Sequence, residues 1–193
     1  MWKLLQELIW PGVAASVIWA FFTVAIEQHG TSGVYVKLSM LFFVAVYLSF
    51  DWMNTQQLSN VDKRKPWFWI IDAAIAVMIV VFAVATQSNP HGDTEINEFA
   101  TWARTSMAFA FVFAIFGHLF DAWGEAKSKE VEANKEIKES SEFIKKSSFK
   151  RCCFAAANMN GLIVIFGWLS TALALPISVA LVVAGYIAVT IIL

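Results

Sequence analysis

Asp51, Asp72, His118 and Asp121 are carboxylates and an imidazole set in or against apolar stretches, and these are the residue types from which a proton relay is built. A carboxyl group drawn out of water holds its proton to higher pH, and an imidazole titrates near neutrality, so the two can exchange a proton. Ionisable groups inside a membrane span are costly, at ~2.5–3.5 kcal/mol near mid-span, and by default they mark function. Asp72 follows Trp67 closely enough to sit roughly 8 Å below the membrane boundary at ~1.5 Å per helical residue. Its short side chain cannot easily reach water from there. If successive spans run antiparallel, His118 and Asp121 return to the depth of Asp72, with Asp51 ending the preceding span nearby. The structural alternative pairs Asp72 with Lys65 or keeps it protonated, and leaves His118 to pack near the end of its span.

Three further groups carry candidate chemistry. Glu27 and Arg104 form a potential outer-leaflet pair, either an inter-helix pin or, with Lys37, an anion-attracting vestibule. The loop from Thr86 to Glu98 holds His91, Asp93, Glu95 and Glu98 without Lys or Arg. Such oxygen ligands suit a hard cation, but the calcium-loop pattern is missing, and acids ahead of a helix equally suit its positive end. Cys152 and Cys153 are adjacent, so they cannot close a long-range disulfide, and they lack the neighbours that would complete a zinc site. A thiol beside Lys150 and Arg151 suits lipidation or redox chemistry; small thiols packed at a helix start are the plainer reading. No metal and no cofactor is expected.

The elements that position these groups follow from composition. Of the 193 residues, 59% are hydrophobic and 15% charged, which places the chain in the membrane class. A crossing needs roughly 20 apolar residues. Stretches of this kind run from Pro11 to Ile26, Val34 to Phe50, Trp67 to Thr86 and Phe99 to Phe120, and the uncharged tail divides into Cys153 to Trp168 and Leu175 to Leu193. A turn at Leu169 to Ala174 joins the last two; a re-entrant tail hairpin is the alternative. The fold class is therefore an all-α polytopic membrane bundle of about six transmembrane helices. Tryptophans gather near the span ends, where the interface favours them, and Pro11, Pro66 and Pro176 stand at span starts. Trp2, Leu4, Leu5, Leu8 and Ile9 share one helical side, so Met1 to Trp10 suits an interfacial helix ahead of an uncleaved anchor.

Twelve of the 14 basic residues fall on the side of Lys3, the Lys63-Arg64-Lys65 run and the Lys127 to Arg151 stretch. Basic loops stay cytoplasmic, so both termini are expected inside. Compact loops and the absence of an Asn-x-Ser/Thr sequon favour a bacterial inner membrane.

Fourteen of the 29 charged side chains lie between Glu125 and Arg151, and none follows. This Glu, Lys and Ala-rich segment is strongly helical, with favourable pairs such as Glu125 with Lys129 and Glu142 with Lys146. As one helix it would reach ~40 Å. The chain must nevertheless return to the membrane at Cys152, so the segment lies on the surface or doubles back, with Asn134 or Ser140-Ser141 as the natural break. Phe143, Ile144 and Phe149 beside Lys145, Lys146, Lys150 and Arg151 suit a return arm resting on anionic lipid. Lys127, Lys135, Ile137, Phe143, Ile144, Lys145 and Lys146 are the candidate partner-binding residues.

Three units result: 1–123, a four-helix transmembrane region; 124–151, a charged cytoplasmic arm; and 152–193, a transmembrane hairpin. No phosphate-cradling loop, His-Glu-x-x-His helix, nucleophile elbow, facing haem ligands or K⁺-type filter is present, and neither internal repeats nor direct nucleic-acid binding are indicated. The leading expectation is a non-enzymatic multi-pass sensor or anchor in the lipid bilayer. It would be homo-oligomeric and recruit a cytosolic protein partner, as in a bacterial stress, immunity or defence system. An ion channel or proton-coupled transporter using Asp72 and His118 is the alternative, and an integral-membrane enzyme the third class.

Overall fold

The computed structural model describes residues 8–29, 33–58, 66–87, 95–132, 138–167 and 174–192, with side chains outside the description at 51–58, 66–69, 95–101, 124–132 and 138–147. Six helices account for these residues: α1 (Trp10–Glu27), α2 (Val34–Leu58), α3 (Pro66–Gln87), α4 (Glu95–Glu132), α5 (Lys138–Gly167) and α6 (Ala174–Ile192). Five of the six contain stretches long and apolar enough to cross a membrane, and α2 carries a shorter apolar run, Val34–Phe50. The all-helical membrane bundle expected from composition is the observed fold. Of the interfacial segment Met1 to Trp10, residues 1–7 lie outside the described residues, as do Lys65 and, of the turn Leu169 to Ala174, all but Ala174, which opens α6.

Each helix buries one stripe. On α1 it is Trp10, Val13, Val17, Ala20 and Val24, and on α6 it is Leu175, Val179, Val182 and Tyr186, both at the three-and-four spacing of a helical face. The opposite faces stay apolar as well: Trp19 and Phe22 on α1, Val77 and Val84 on α3, and Phe109 and Phe116 on α4 are exposed. A helix that is apolar all round has no water-facing side. The outer surface is thus suited to hydrocarbon.

The helices close a ring in the order α1, α2, α6, α5, α4, α3, each packed on the next and α3 returning to α1. Gly33 turns the chain into α2 at φ 90°, a left-handed conformation that a glycine adopts without strain, and its carbonyl accepts the Lys37 N–H at 3.0 Å. Small residues let the α4, α5 and α6 backbones approach closely. A Cβ at Gly161 would stand 2.5 Å from Val182 Cγ2 and 2.9 Å from Phe111 Cε2, and one at Gly185 would stand 2.8 Å from Ala157 Cβ.

Helices α4 and α5 run unbroken through the boundaries at 123/124 and 151/152. The charged arm is thus an extension of two span helices. They are antiparallel: Ala122 pairs with Ser148 and Asp121 with Arg151, and both pairs have their sequence midpoint within 133–137. The doubling back required by chain length is therefore built as a helical hairpin. Asn134, Lys135 and Ile137 fall in the segment between the two helices, outside the described residues, whereas Ser140-Ser141 lies inside α5.

Gly161→Ala should destabilise the bundle by ~1–3 kcal/mol through overpacking. Gly12→Ala, where a Cβ meets nothing within 4 Å, should leave stability unchanged. Thermal unfolding of the two variants in the same detergent checks the difference.

Candidate functional site: a buried hydrogen-bonded chain across four helices

Asn158, fully buried on α5, is a polar hub inside the bundle. Its Nδ2 donates to the Phe154 carbonyl at 2.9 Å and to Tyr186 Oη of α6 at 2.9 Å, and its Oδ1 accepts the Tyr47 hydroxyl of α2 at 3.3 Å. The Phe154 carbonyl can only accept, so it fixes which end of the amide faces Tyr186. Tyr186 Oη in turn lies 2.7 Å from His118 Nε2 of α4. Tyr186 Oη can accept a second bond or donate, so the direction of this link follows the His118 tautomer: with the imidazole proton on Nδ1 the hydroxyl donates to Nε2, and with it on Nε2 the hydroxyl accepts. Tyr47, Asn158, Tyr186 and His118 thus form a hydrogen-bonded chain from α2 to α4.

Aromatic contacts hold that chain in register. Phe154 stacks on Tyr186 at 4.4 Å and lies 5.5 Å from the His118 ring, while Tyr47 packs edge-on against Tyr186 and Phe111 at 5.5 and 6.0 Å. Lys150 Nζ sits 5.9 Å from the centre of the Phe154 ring, within cation–π range. The phenol rings give the network an apolar body, and only their tips are polar.

Less than one helical turn beyond His118 lies a second polar layer, where Asp121 of α4 makes an ion pair with Arg151 of α5. Their side chains are 14% and 6% exposed, and Ser148 Oγ donates to the Ala122 carbonyl at 3.2 Å alongside. This clamp ties the two helices together at the base of the arm. Comparison with protein-family models, curated proteins and solved structures returns no match. Function must therefore be read from this geometry.

His118 and Asp121 share one face of α4; His118 meets Tyr186 of α6 and Phe154 of α5, and Asp121 meets Arg151 of α5. Helix α4 continues past His118 to Glu132, so the histidine does not sit at a helix end. Asp72 is half-buried on α3 at the same level, since the neighbouring Ile71 lies 3.5 Å from the position of a Cβ on Gly117. The Asp51 side chain lies outside the described residues. At the opposite end of the bundle Glu27 is exposed and Arg104 half-buried, while the buried cation is Lys37, only 5% exposed. Lys37 Nζ donates to Gln28 Oε1 at 2.7 Å, and Gln28 Nε2 donates to the Gln87 carbonyl at 3.0 Å, which joins α1, α2 and α3. His91 and Asp93 lie outside the described residues, as do the side chains of Glu95, Glu98, Lys127, Phe143, Ile144, Lys145 and Lys146. Cys152 is exposed and Cys153 half-buried, both as free thiols.

Attention to ionisable groups passes over Tyr47, Asn158 and Tyr186, which are neutral at physiological pH. The signal that could have found them is an asparagine inside an apolar span, since a carboxamide in hydrocarbon has to find partners.

Asn158→Leu removes the hub and leaves two buried hydroxyls short of partners, so it should cost ~1–3 kcal/mol of stability. Asp121→Leu, which strands Arg151, should cost ~3–5 kcal/mol, and adding Arg151→Leu should recover most of that loss. Unfolding of the single and double variants in detergent measures both effects.

Proposed function

We propose that this protein is a non-enzymatic multi-pass membrane sensor or anchor whose output element is the α4–α5 arm, which recruits a soluble protein partner. The supporting observation is the continuity of α4 and α5 through the ends of their spans, closed at the base by Asp121 and Arg151. A solvated linker has no need of two rigid helices or of a partly buried ion pair. A docking element gains from both, because helices held in fixed register lose less freedom on binding.

The distribution of Lys and Arg puts this arm in the cytoplasm, with both termini on the same side. The host membrane in this reading is a bacterial inner membrane, and the role is that of a membrane subunit in a stress, immunity or defence system. A homo-oligomer would use outward-facing small residues such as Ala180 and Ala184 on α6.

The hydrogen-bonded chain from Tyr47 to His118 favours a second reading, a proton-coupled transporter or channel with Asp72 beside the relay. Tyr186 and His118, a hydroxyl and an imidazole 2.7 Å apart, can exchange a proton, while the Asn158 carboxamide between the two tyrosines positions them.

Replacing residues 124–147 with a neutral flexible linker should abolish recovery of a specific soluble partner while the chain still inserts in the membrane. Equal recovery with both forms would count against the anchor reading. For the second reading, proteoliposomes of the unmodified chain should show pH-driven flux that falls at least tenfold in Asp72→Asn and Tyr186→Phe. An absence of flux in the unmodified chain removes the transport reading.

A further inference from the structure

We propose that His118 is a proton-operated switch that sets the geometry of the α4–α5 arm. The inference concerns the position of the arm and stands whether or not a partner docks there.

With the proton of neutral His118 on Nδ1, the tautomer the switch requires, the hydrogen-bonded chain has one direction. Tyr47 O–H points to Asn158 Oδ1, Asn158 Nδ2–H to Tyr186 Oη, and Tyr186 O–H to His118 Nε2. A proton added to His118 goes to Nε2, the nitrogen that carried the lone pair. Nε2–H then points at Tyr186 Oη, which already receives Asn158 Nδ2–H. The amide cannot turn over to accept without surrendering its bond to the Phe154 carbonyl. The Tyr186 hydroxyl must therefore swing its proton off the line to Nε2, and the α4–α6 link reverses. No bond other than hydrogen bonds is made or broken, and the added proton comes from the aqueous side.

The new charge has a second effect through the helix that carries it. His118 and Asp121 are three residues apart on α4, a spacing that brings side chains together. An imidazolium there competes with Arg151 for the Asp121 carboxylate and stands near the like charges of Arg151 and Lys150. Both consequences loosen the base of the arm. Among the described residues, the charged and titratable groups on the helices around the switch are Asp72 on α3, Asp121 on α4, Lys150, Arg151 and the Cys153 thiol on α5, Tyr186 on α6 and Tyr47 on α2. The carboxylates stabilise the imidazolium and the cations oppose it. Histidine is the side chain among these whose ordinary titration falls between about pH 5 and 8.

The test uses the full chain in nanodiscs of neutral lipid, with Cys152 and Cys153 replaced by serine and spin labels attached after Ser128→Cys and Ser141→Cys. The label-to-label distance should shift between about pH 8 and 5. His118→Gln should abolish the shift, Tyr186→Phe should reduce it because only the charge acting on Asp121 is left, and Asp72→Asn should retain it. Nitrogen NMR of His118 should show the proton on Nδ1 at the alkaline end and on both nitrogens at the acidic end. Tyr186→Phe keeps the ring that stacks on Phe154, so it tests the hydroxyl without emptying the core. A distance that does not change with pH in the unmodified chain overturns the proposal. So does a shift that persists in His118→Gln, one that is undiminished in Tyr186→Phe, or one that disappears in Asp72→Asn.

Discussion

Hydrocarbon offers no hydrogen bonds, so every polar group inside this bundle has to find its partners within the protein. Isolated hydroxyls solve the problem on their own helix. Ser16, Ser39, Thr86 and Ser106 each bond to a carbonyl three residues back. Larger polar groups cannot do this alone, and they draw helices together. Ser178 reaches across to the Gly161 carbonyl at 2.8 Å, Lys37 is held by Gln28, and Asn158 gathers groups from two other helices besides its own backbone. Where apolar packing has little directional preference against lipid, these bonds select the arrangement.

The two polar layers on the charged side differ in kind. The Asn158 layer is buried and linked through hydroxyls, whereas the Asp121 and Arg151 layer is ionic and sits at the ends of the apolar stretches Trp102–Trp123 and Ser148–Gly167. His118 stands between them on α4, bonded into the first layer and less than a turn from the second. Tyr186 and Phe154 form the floor on which the imidazole rests. One titratable group is therefore bonded into the core packing and stands three residues from the clamp that holds the arm.

Much of the fold was legible in the sequence because membrane thickness and interface chemistry are coarse, strong constraints. Pro66 opens α3 and Pro11 stands in the first turn of α1. The stretch Val34 to Phe50 is the apolar part of a helix that runs on to Leu58, since helix continuity depends on backbone bonding and not on hydropathy alone. For the same reason α4 and α5 pass the composition change at Asp121 and Cys152 without stopping. The site was less legible. Depth placed Asp72 and His118 at one level, but depth says nothing of azimuth, and the direction of a side chain around its helix decides its partner. Arg151 read as a surface cation suited to lipid headgroups, yet it is turned inward to Asp121. Lys37 read as flanking an external turn, yet it is buried against Gln28. Both long side chains lie at span ends, where either direction is sterically open.

The absence of a break in α4 at the end of its span has a mechanical consequence. From Asp121 to Glu132 the helix extends past the clamp by roughly 16 Å at ~1.5 Å per residue. A stiff rod pivoting at its clamp amplifies angle into displacement, so a tilt of about 10° at Asp121 carries its far end roughly 3 Å sideways. Side-chain rearrangements too small to reshape the packed ring become movements comparable with the diameter of a water molecule at the tip. The membrane-embedded part can stay rigid while the lever moves.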